Sequence, residues 1–220
     1  RVIYAQTDGA VMAVPFDLRK RRTTGNAVNT GETIIVAGVK GALGPNGSLT
    51  YIAGSSATRP GVVERSGALR ALVDLQRPFA FPRYSPDGTR VALSIGEATS
   101  TDVWIYTIAS GSLERLTSEG TNDRPEWSPD GRRVIFRSSR SGGPFALWWQ
   151  TADGSAPAER LTPALDVSVQ EGVMSPDGRH LLFRVDTRTQ QRNILTLTLD
   201  GKDTPRPWLA TPFDELSPRF

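Results

Sequence analysis

Ser128-Pro129-Asp130-Gly131, with Trp127 before it and Arg132-Arg133-Val134-Ile135-Phe136 after it, is one of three copies of a single phrase. The others are Ser85-Pro86-Asp87-Gly88, followed by Thr89-Arg90-Val91-Ala92-Leu93, and Ser175-Pro176-Asp177-Gly178, followed by Arg179-His180-Leu181-Leu182-Phe183. Its chemistry is that of a tight turn between two strands. Proline presets φ for the second turn position, aspartate can bond its own backbone, and glycine accepts positive φ at the exit. Tyr84, Trp127 or Met174 precedes each copy and an apolar run follows it. Ser85, Asp87, Gly88, Ser128, Asp130, Gly131, Ser175, Asp177 and Gly178 are therefore read as structural turn residues.

The spacing is 43 residues from Ser85 to Ser128 and 47 from Ser128 to Ser175. A degenerate copy, Gly44-Pro45-Asn46-Gly47 before Ser48-Leu49-Thr50-Tyr51-Ile52, lies 41 residues ahead of Ser85. At the far end Pro218-Arg219-Phe220 repeats the register of Pro82-Arg83-Tyr84. A period of roughly 40 to 50 residues with four short strands per unit is the signature of a β-propeller. The fold class is therefore all-β, with about five four-stranded blades in one domain spanning 1–220. The repeats fall at approximately 1–40, 41–80, 81–123, 124–170 and 171–215, with a closing strand at 216–220. The first unit lacks an innermost strand, so 216–220 is expected to pair with residues 2–5 and close the ring, which would remove two open edges.

Within a unit, strand A precedes the turn phrase and B follows it. C is the next apolar run: Val103-Trp104-Ile105-Tyr106, Ala146-Leu147-Trp148-Trp149 and Asn193-Ile194-Leu195-Thr196-Leu197. The short outer D strands are Leu113-Glu114-Arg115-Leu116-Thr117, Glu159-Arg160-Leu161-Thr162 and Arg206-Pro207-Trp208-Leu209, the proline being tolerable at an edge. In the first unit, Val2-Ile3-Tyr4-Ala5 and Val11-Met12-Ala13-Val14-Pro15-Phe16 read as strands joined at Thr7-Asp8-Gly9. A third strand is expected near residues 33–37, and basic Arg19-Lys20-Arg21-Arg22 falls in a solvated loop.

Composition narrows the function. Among 220 residues there are 21 glycines, 16 prolines and 38% hydrophobic residues, which suits short strands joined by turns. The chain has no cysteine, which excludes disulfides, thiol catalysis and cysteine-ligated metal. A net charge of +3 does not argue for nucleic acid, and no basic–aromatic interleaving is present. No apolar run approaches the roughly 20 residues of a membrane span, so no membrane insertion is expected. Without an initiator methionine or a leader, the chain reads as an excised domain or processed product.

The single histidine, His180, opens a B strand, and no Gly-x-Ser-x-Gly elbow supplies a nucleophile, so no catalytic residue is assigned. One histidine without cysteine also cannot build a zinc site, and no metal is assigned. Asp123, Glu126, Asp166, Glu171, Asp214 and Glu215 flank the D-to-A connections, which gather at one mouth of the central channel. With Arg83, Asn122, Arg124 and Arg219 they form the candidate site for a protein or small ligand. Such acids could also cage calcium, though no Asp-x-Asp-x-Asp-Gly loop is present, and no obligatory cofactor is expected. Of the five tryptophans, Trp104, Trp127, Trp148 and Trp208 are expected to pack between blades, with Trp148 and Trp149 facing opposite sides of one sheet.

The turn phrases resemble the repeats of TolB-like propellers. Val2-Ile3-Tyr4-Ala5, Asp8-Gly9 and Met12-Ala13-Val14-Pro15-Phe16-Asp17-Leu18 resemble the opening of the propeller in bacterial receptor-type serine/threonine protein kinases. Asn122-Asp123-Arg124-Pro125-Glu126-Trp127 and Pro207-Trp208-Leu209-Ala210-Thr211-Pro212-Phe213-Asp214-Glu215 are similar to the same group. The resemblance implies a non-catalytic sensor or interaction module at a periplasmic or extracellular location. No glycine-rich phosphate loop or His-Arg-Asp triplet of a kinase is present.

Three readings stand. One is a binding module that is a monomer if the ring closes and a homo-oligomer otherwise. The second is an enzyme: a hydrolase or lactonase using channel carboxylates with calcium, or the propeller gate of a prolyl-oligopeptidase-like peptidase. The third is a truncated or engineered repeat fragment with no function of its own.

Overall fold

The computed structural model describes residues 2–5, 10–17, 19–33, 41–43, 49–53, 59–63, 69–96, 100–187, 191–201 and 203–220. The Thr7-Asp8-Gly9 turn and the Gly44-Pro45-Asn46-Gly47 phrase lie outside them, as does most of the stretch at 33–37. The described residues form strands and turns with no helix.

The first sheet contains β1 (Val2–Ala5), β2 (Ala10–Val14) and, beyond the two-stranded hairpin β3 (Phe16–Asp17) and β4 (Arg22–Thr23), β5 (Val28–Thr33). The third strand of this unit therefore runs earlier than the expected 33–37. The basic cluster is exposed, and Arg19 and Lys20 donate their backbone N–H groups to Asp17 Oδ1.

Four four-stranded antiparallel sheets follow, each in sequential order. The second holds β6 (Gly41–Leu43), β7 (Leu49–Ala53), β8 (Arg59–Val63) and β9 (Leu69–Ala71). The third holds β10 (Phe79–Tyr84), β11 (Arg90–Gly96), β12 (Thr101–Thr107) and β13 (Leu113–Arg115). In the fourth are β14 (Asn122–Trp127), β15 (Arg133–Ser138), β16 (Ala146–Thr151) and β17 (Glu159–Arg160). The fifth is β18 (Ser168–Met174), β19 (His180–Asp186), β20 (Arg192–Thr198) and β21 (Arg206–Leu209). In these last three sheets the expected A-to-D phase is the observed one.

The turns that join A to B work as their composition requires. Ser128 Oγ donates to Asp130 Oδ1 at 2.6 Å and accepts the Arg133 N–H at 2.9 Å, while the Gly131 N–H closes the turn onto the Ser128 carbonyl at 2.9 Å. Ser85 with Asp87 and Ser175 with Asp177 repeat this, at 2.6 and 2.5 Å. Gly88, Gly131 and Gly178 take φ of 71°, 66° and 71°, which glycine adopts without Cβ strain.

The core lies between sheets. Val62 and Leu72 of the second meet Phe79, Val91 and Leu93 of the third. Ala92, Val103 and Ile105 of the third meet Trp127, Val134 and Phe136 of the fourth. Ile135 and Leu147 of the fourth meet Val169, Leu181 and Phe183 of the fifth. Trp148 packs on the third–fourth cluster and Trp149 on the fourth–fifth cluster, one to each side of their sheet. Trp208 corrects the expectation: it is 67% exposed on the outermost strand, which has no further sheet over that face.

The inner strands β6, β10, β14 and β18 approach one another in succession. β10, β14 and β18 each carry a bulge against the following strand, at Ala80/Arg83, Asp123/Glu126 and Val169/Glu171. Phe81 and Arg124 sit in these bulges with φ of 51° and 53°.

Residues 216–220 are not a strand and form no ladder with β1, contrary to the expected closure. Their polar contacts run inward instead: the Ser217 N–H reaches Glu171 and the Arg219 guanidinium reaches Glu126. Ser217 nonetheless has φ of 52°, matching Phe81 and Arg124, so the tail copies the local shape of an inner strand.

Candidate functional site

One repeat position builds the inner face. Counting four residues back from the turn serine gives Phe81, Arg124 and Glu171, and the proline register of the tail gives Ser217. These four touch in order. The Arg124 guanidinium carbon lies 4.6 Å from the centroid of the Phe81 ring, Arg124 Nη1 is 3.4 Å from Glu171 Oε2, and the Ser217 N–H donates to Glu171 Oε1 at 3.1 Å. The bulge and the left-handed φ make this possible by swinging the side chain out of the ordinary strand alternation.

A second tier stands two residues further on. Arg83 Nε bonds Glu126 Oε2 at 2.9 Å, and Arg219 Nη1 approaches the same oxygen at 3.8 Å. Behind both tiers Arg137 chelates Asp123, with Nε to Oδ1 at 2.6 Å and Nη2 to Oδ2 at 2.5 Å, and also bonds Gln170. Arg184 supports Glu171 at 3.4 Å and Asp186 at 3.5 Å. Burial draws the Arg124 guanidinium down from its ordinary value, and the Glu171 carboxylate opposes that.

Arg83, Asp123, Arg124, Glu126, Glu171 and Arg219 are thus brought together. All but Arg219 lie on inner strands rather than on the expected D-to-A loops. The remaining four candidates stand elsewhere. Asn122 is fully buried, its amide donating to Asp102 Oδ1 at 2.9 Å inside a network with Thr117 and Arg115, so it is not presented at a mouth. Glu215 is also buried and accepts the Thr211 N–H and hydroxyl at 2.9 and 2.5 Å. Asp214 is exposed and pairs with Arg192 at 3.5 Å, and Asp166 is exposed on the connection leading to β18. His180 is exposed as well.

Phe81, Arg137, Gln170, Arg184 and Ser217 escaped the reading of the sequence. The signal was present: Phe81 and Ser217 share the repeat position of Arg124 and Glu171, while Arg137 and Arg184 both follow their turn serine by nine residues.

Asp123, Glu126 and Glu171 are each bonded to arginine, so the negative charge that would draw a calcium ion is already matched. Among the described residues no three acids or histidines are grouped to hold a metal ion. No helix among them is long and apolar enough to cross a membrane. The arrangement offers a polar, arginine-braced surface with apolar Phe81 at one end.

Residues 46–220 match the family model described as the TolB beta propeller domain. Over 111 residues the chain is 34% identical to an uncharacterized peptidase, YuxL, of Bacillus subtilis, which is 47% of this chain and 17% of that protein. It is 37% identical over 98 residues to the uncharacterized protein Atu1656 of Agrobacterium fabrum, covering 44% of this chain and 33% of the relative. These matches span less than half the length of either relative. The solved structure of a putative TolB from Agrobacterium tumefaciens superposes with a TM-score of 0.71 at 22% identity, covering 92% of this chain and 74% of that one.

Proposed function

Because the chain belongs to the TolB beta propeller domain family, we propose that it is a non-catalytic binding module whose inner face receives a protein segment or small ligand. The observation that carries this reading is the pairing of Asp123, Glu126 and Glu171 with Arg137, Arg83 and Arg124. A carboxylate committed to an arginine is a poor general base and a poor metal ligand, whereas the guanidinium N–H groups it does not use remain donors for a carbonyl or carboxylate. The site is proposed to comprise Arg83, Arg124, Glu126, Glu171 and Arg219 with Phe81, at a periplasmic or extracellular location, as in a sensor propeller. Five blades forming one domain belong to the same proposal.

The similarity to YuxL favours a second reading, in which this propeller gates a peptidase domain carried elsewhere in a longer chain.

Selection of a displayed library of extended peptides on the purified chain tests the first reading. Enrichment of a consensus that an Arg219→Glu variant no longer binds is the expected result. Turnover of ester or lactone substrates above buffer rates, with or without calcium, or selection without enrichment, overturns it.

A further inference from the structure

A cleft of about 570 Å³ opens between the turn of the fourth sheet and that of the fifth, away from the inner tiers. The equivalent junction between third and fourth sheets is bridged. There Arg90 Nη2 donates to the Gly131 carbonyl at 2.7 Å, and its guanidinium carbon lies 4.7 Å from the Trp127 centroid. One repeat later the aromatic partner is gone. Met174 stands where Trp127 stood, and Trp149 occupies the C-strand position held by Ile105. Arg133, the counterpart of Arg90, turns back onto Trp149, its guanidinium carbon 4.0 Å from the ring centroid. The turns also part: a Cβ on Gly131 would sit 3.5 Å from Pro86, whereas only Met174 Sδ comes within 4 Å of the same point on Gly178.

The guanidinium of Arg133 makes no hydrogen bond or ion pair among the described residues; it lines the cleft beside Arg132, and its charge acts on Asp130. Stacking on Trp149 fixes its plane. A fixed guanidinium edge matches a carboxylate with two parallel bonds. Asp130 and Asp177 stand at the rim, but each is engaged by its own turn, Asp130 by Ser128 and the Arg132 N–H, Asp177 by Ser175 and the Arg179 N–H. Arg132 and Arg133 match the two aspartates in charge, so the cleft tolerates a single carboxylate better than a dianion such as phosphate. Pro129, Pro176 and Met174 add apolar wall, and the volume far exceeds what a lone carboxylate fills.

We propose that this cleft binds an acidic side chain of an extended peptide, the carboxylate lying edge-on across Arg133 and a neighbouring apolar side chain resting on Met174 and the two prolines. The site is separate from the inner face and does not depend on its role.

Isothermal titration with the capped tripeptides acetyl-Leu-Glu-Leu-amide and acetyl-Leu-Gln-Leu-amide, and with acetate and inorganic phosphate, tests it. The glutamate peptide is expected to bind at least about tenfold more tightly than its glutamine counterpart, the loss of one charge-assisted pair. Arg133→Gln should abolish that preference, while Arg179→Gln, on an exposed neighbour, should preserve it. Equal affinity for the two peptides, a preference that survives Arg133→Gln, or no saturable binding overturns the proposal. Acetate or phosphate binding as tightly as the glutamate peptide overturns the peptide assignment. Should Arg133→Gln fail to fold, the two peptides on the native chain decide the matter.

Discussion

Arg90 of the third sheet donates a 2.7 Å hydrogen bond to the carbonyl oxygen of Gly131, the glycine of the next sheet's turn. The same guanidinium covers Trp127, whose indole N–H bonds the Arg83 carbonyl at 3.0 Å, so one arginine clamps two neighbouring repeats at their turn end.

Truncating that clamp should weaken the third–fourth interface. Arg90→Ala is expected to lower the unfolding free energy by about 2 kcal/mol, from one charge-assisted bond and one cation–π contact. Urea denaturation with an unchanged m-value checks it; a change below about 0.5 kcal/mol would show that the clamp is solvated away.

Ser128 is 5% exposed, and its hydroxyl donates to Asp130 at 2.6 Å while accepting the Arg133 N–H at 2.9 Å. Ser128→Ala leaves that N–H without its acceptor and should cost about 1 to 3 kcal/mol. The melting temperature should fall accordingly.

Gly172 stands on β18 where the other inner strands carry Pro82 and Pro125. A Cβ there would lie 2.3 Å from Leu147 Cδ1 and 3.3 Å from Phe183 Cβ. Leu147 is fully buried and cannot swing clear, so Gly172→Ala should destabilise by about 1 to 3 kcal/mol of overpacking. Adding Leu147→Ala to Gly172→Ala should cost less than the two single changes combined.

Acid should weaken the chain at its turns. The Ser85 hydroxyl, then the Thr89 N–H and hydroxyl, hold Asp87 down at about 2, and Asp130 and Asp177 are lowered by Ser128 and Ser175 in the same way. Folded-state values below the unfolded one mean that this stability is complete above about pH 4 and is lost as pH falls toward about 2. Denaturant midpoints measured from neutral pH to about pH 2 should show the loss, and a combined Asp87→Asn, Asp130→Asn, Asp177→Asn variant should flatten it.

The contrast between Ser128 and Ser217 shows what the sequence made legible. Ser128 belongs to a phrase whose proline, aspartate and glycine each demand one local conformation, so the turns and the strand phase around them follow from short-range chemistry. Ser217 and Phe81 carry no such local demand. The left-handed backbone of Phe81 sits in the bulge of β10 and that of Ser217 in a tail outside any ladder, both tertiary effects that residue identity alone does not announce. Glu126 and Glu171 are legible as loop acids partly matched by Arg83, Arg124 and Arg219, but which arginine meets which acid is not, because the pairing runs between repeats. Trp208 misled because an aromatic residue on a D strand packs only where another sheet covers it.

Among the described residues the three hydrophobic clusters each straddle two sheets, so the third and fourth sheets share their cores with both neighbours. A unit copied within such a gene arrives with half an interface on each side, ready to meet the matching halves of its neighbours. In an open array of such sheets, adding or removing one changes the number of interfaces by one. The drift from Trp127 to Met174 illustrates the freedom this gives: one junction opens into a cleft while the junction before it stays bridged by Arg90.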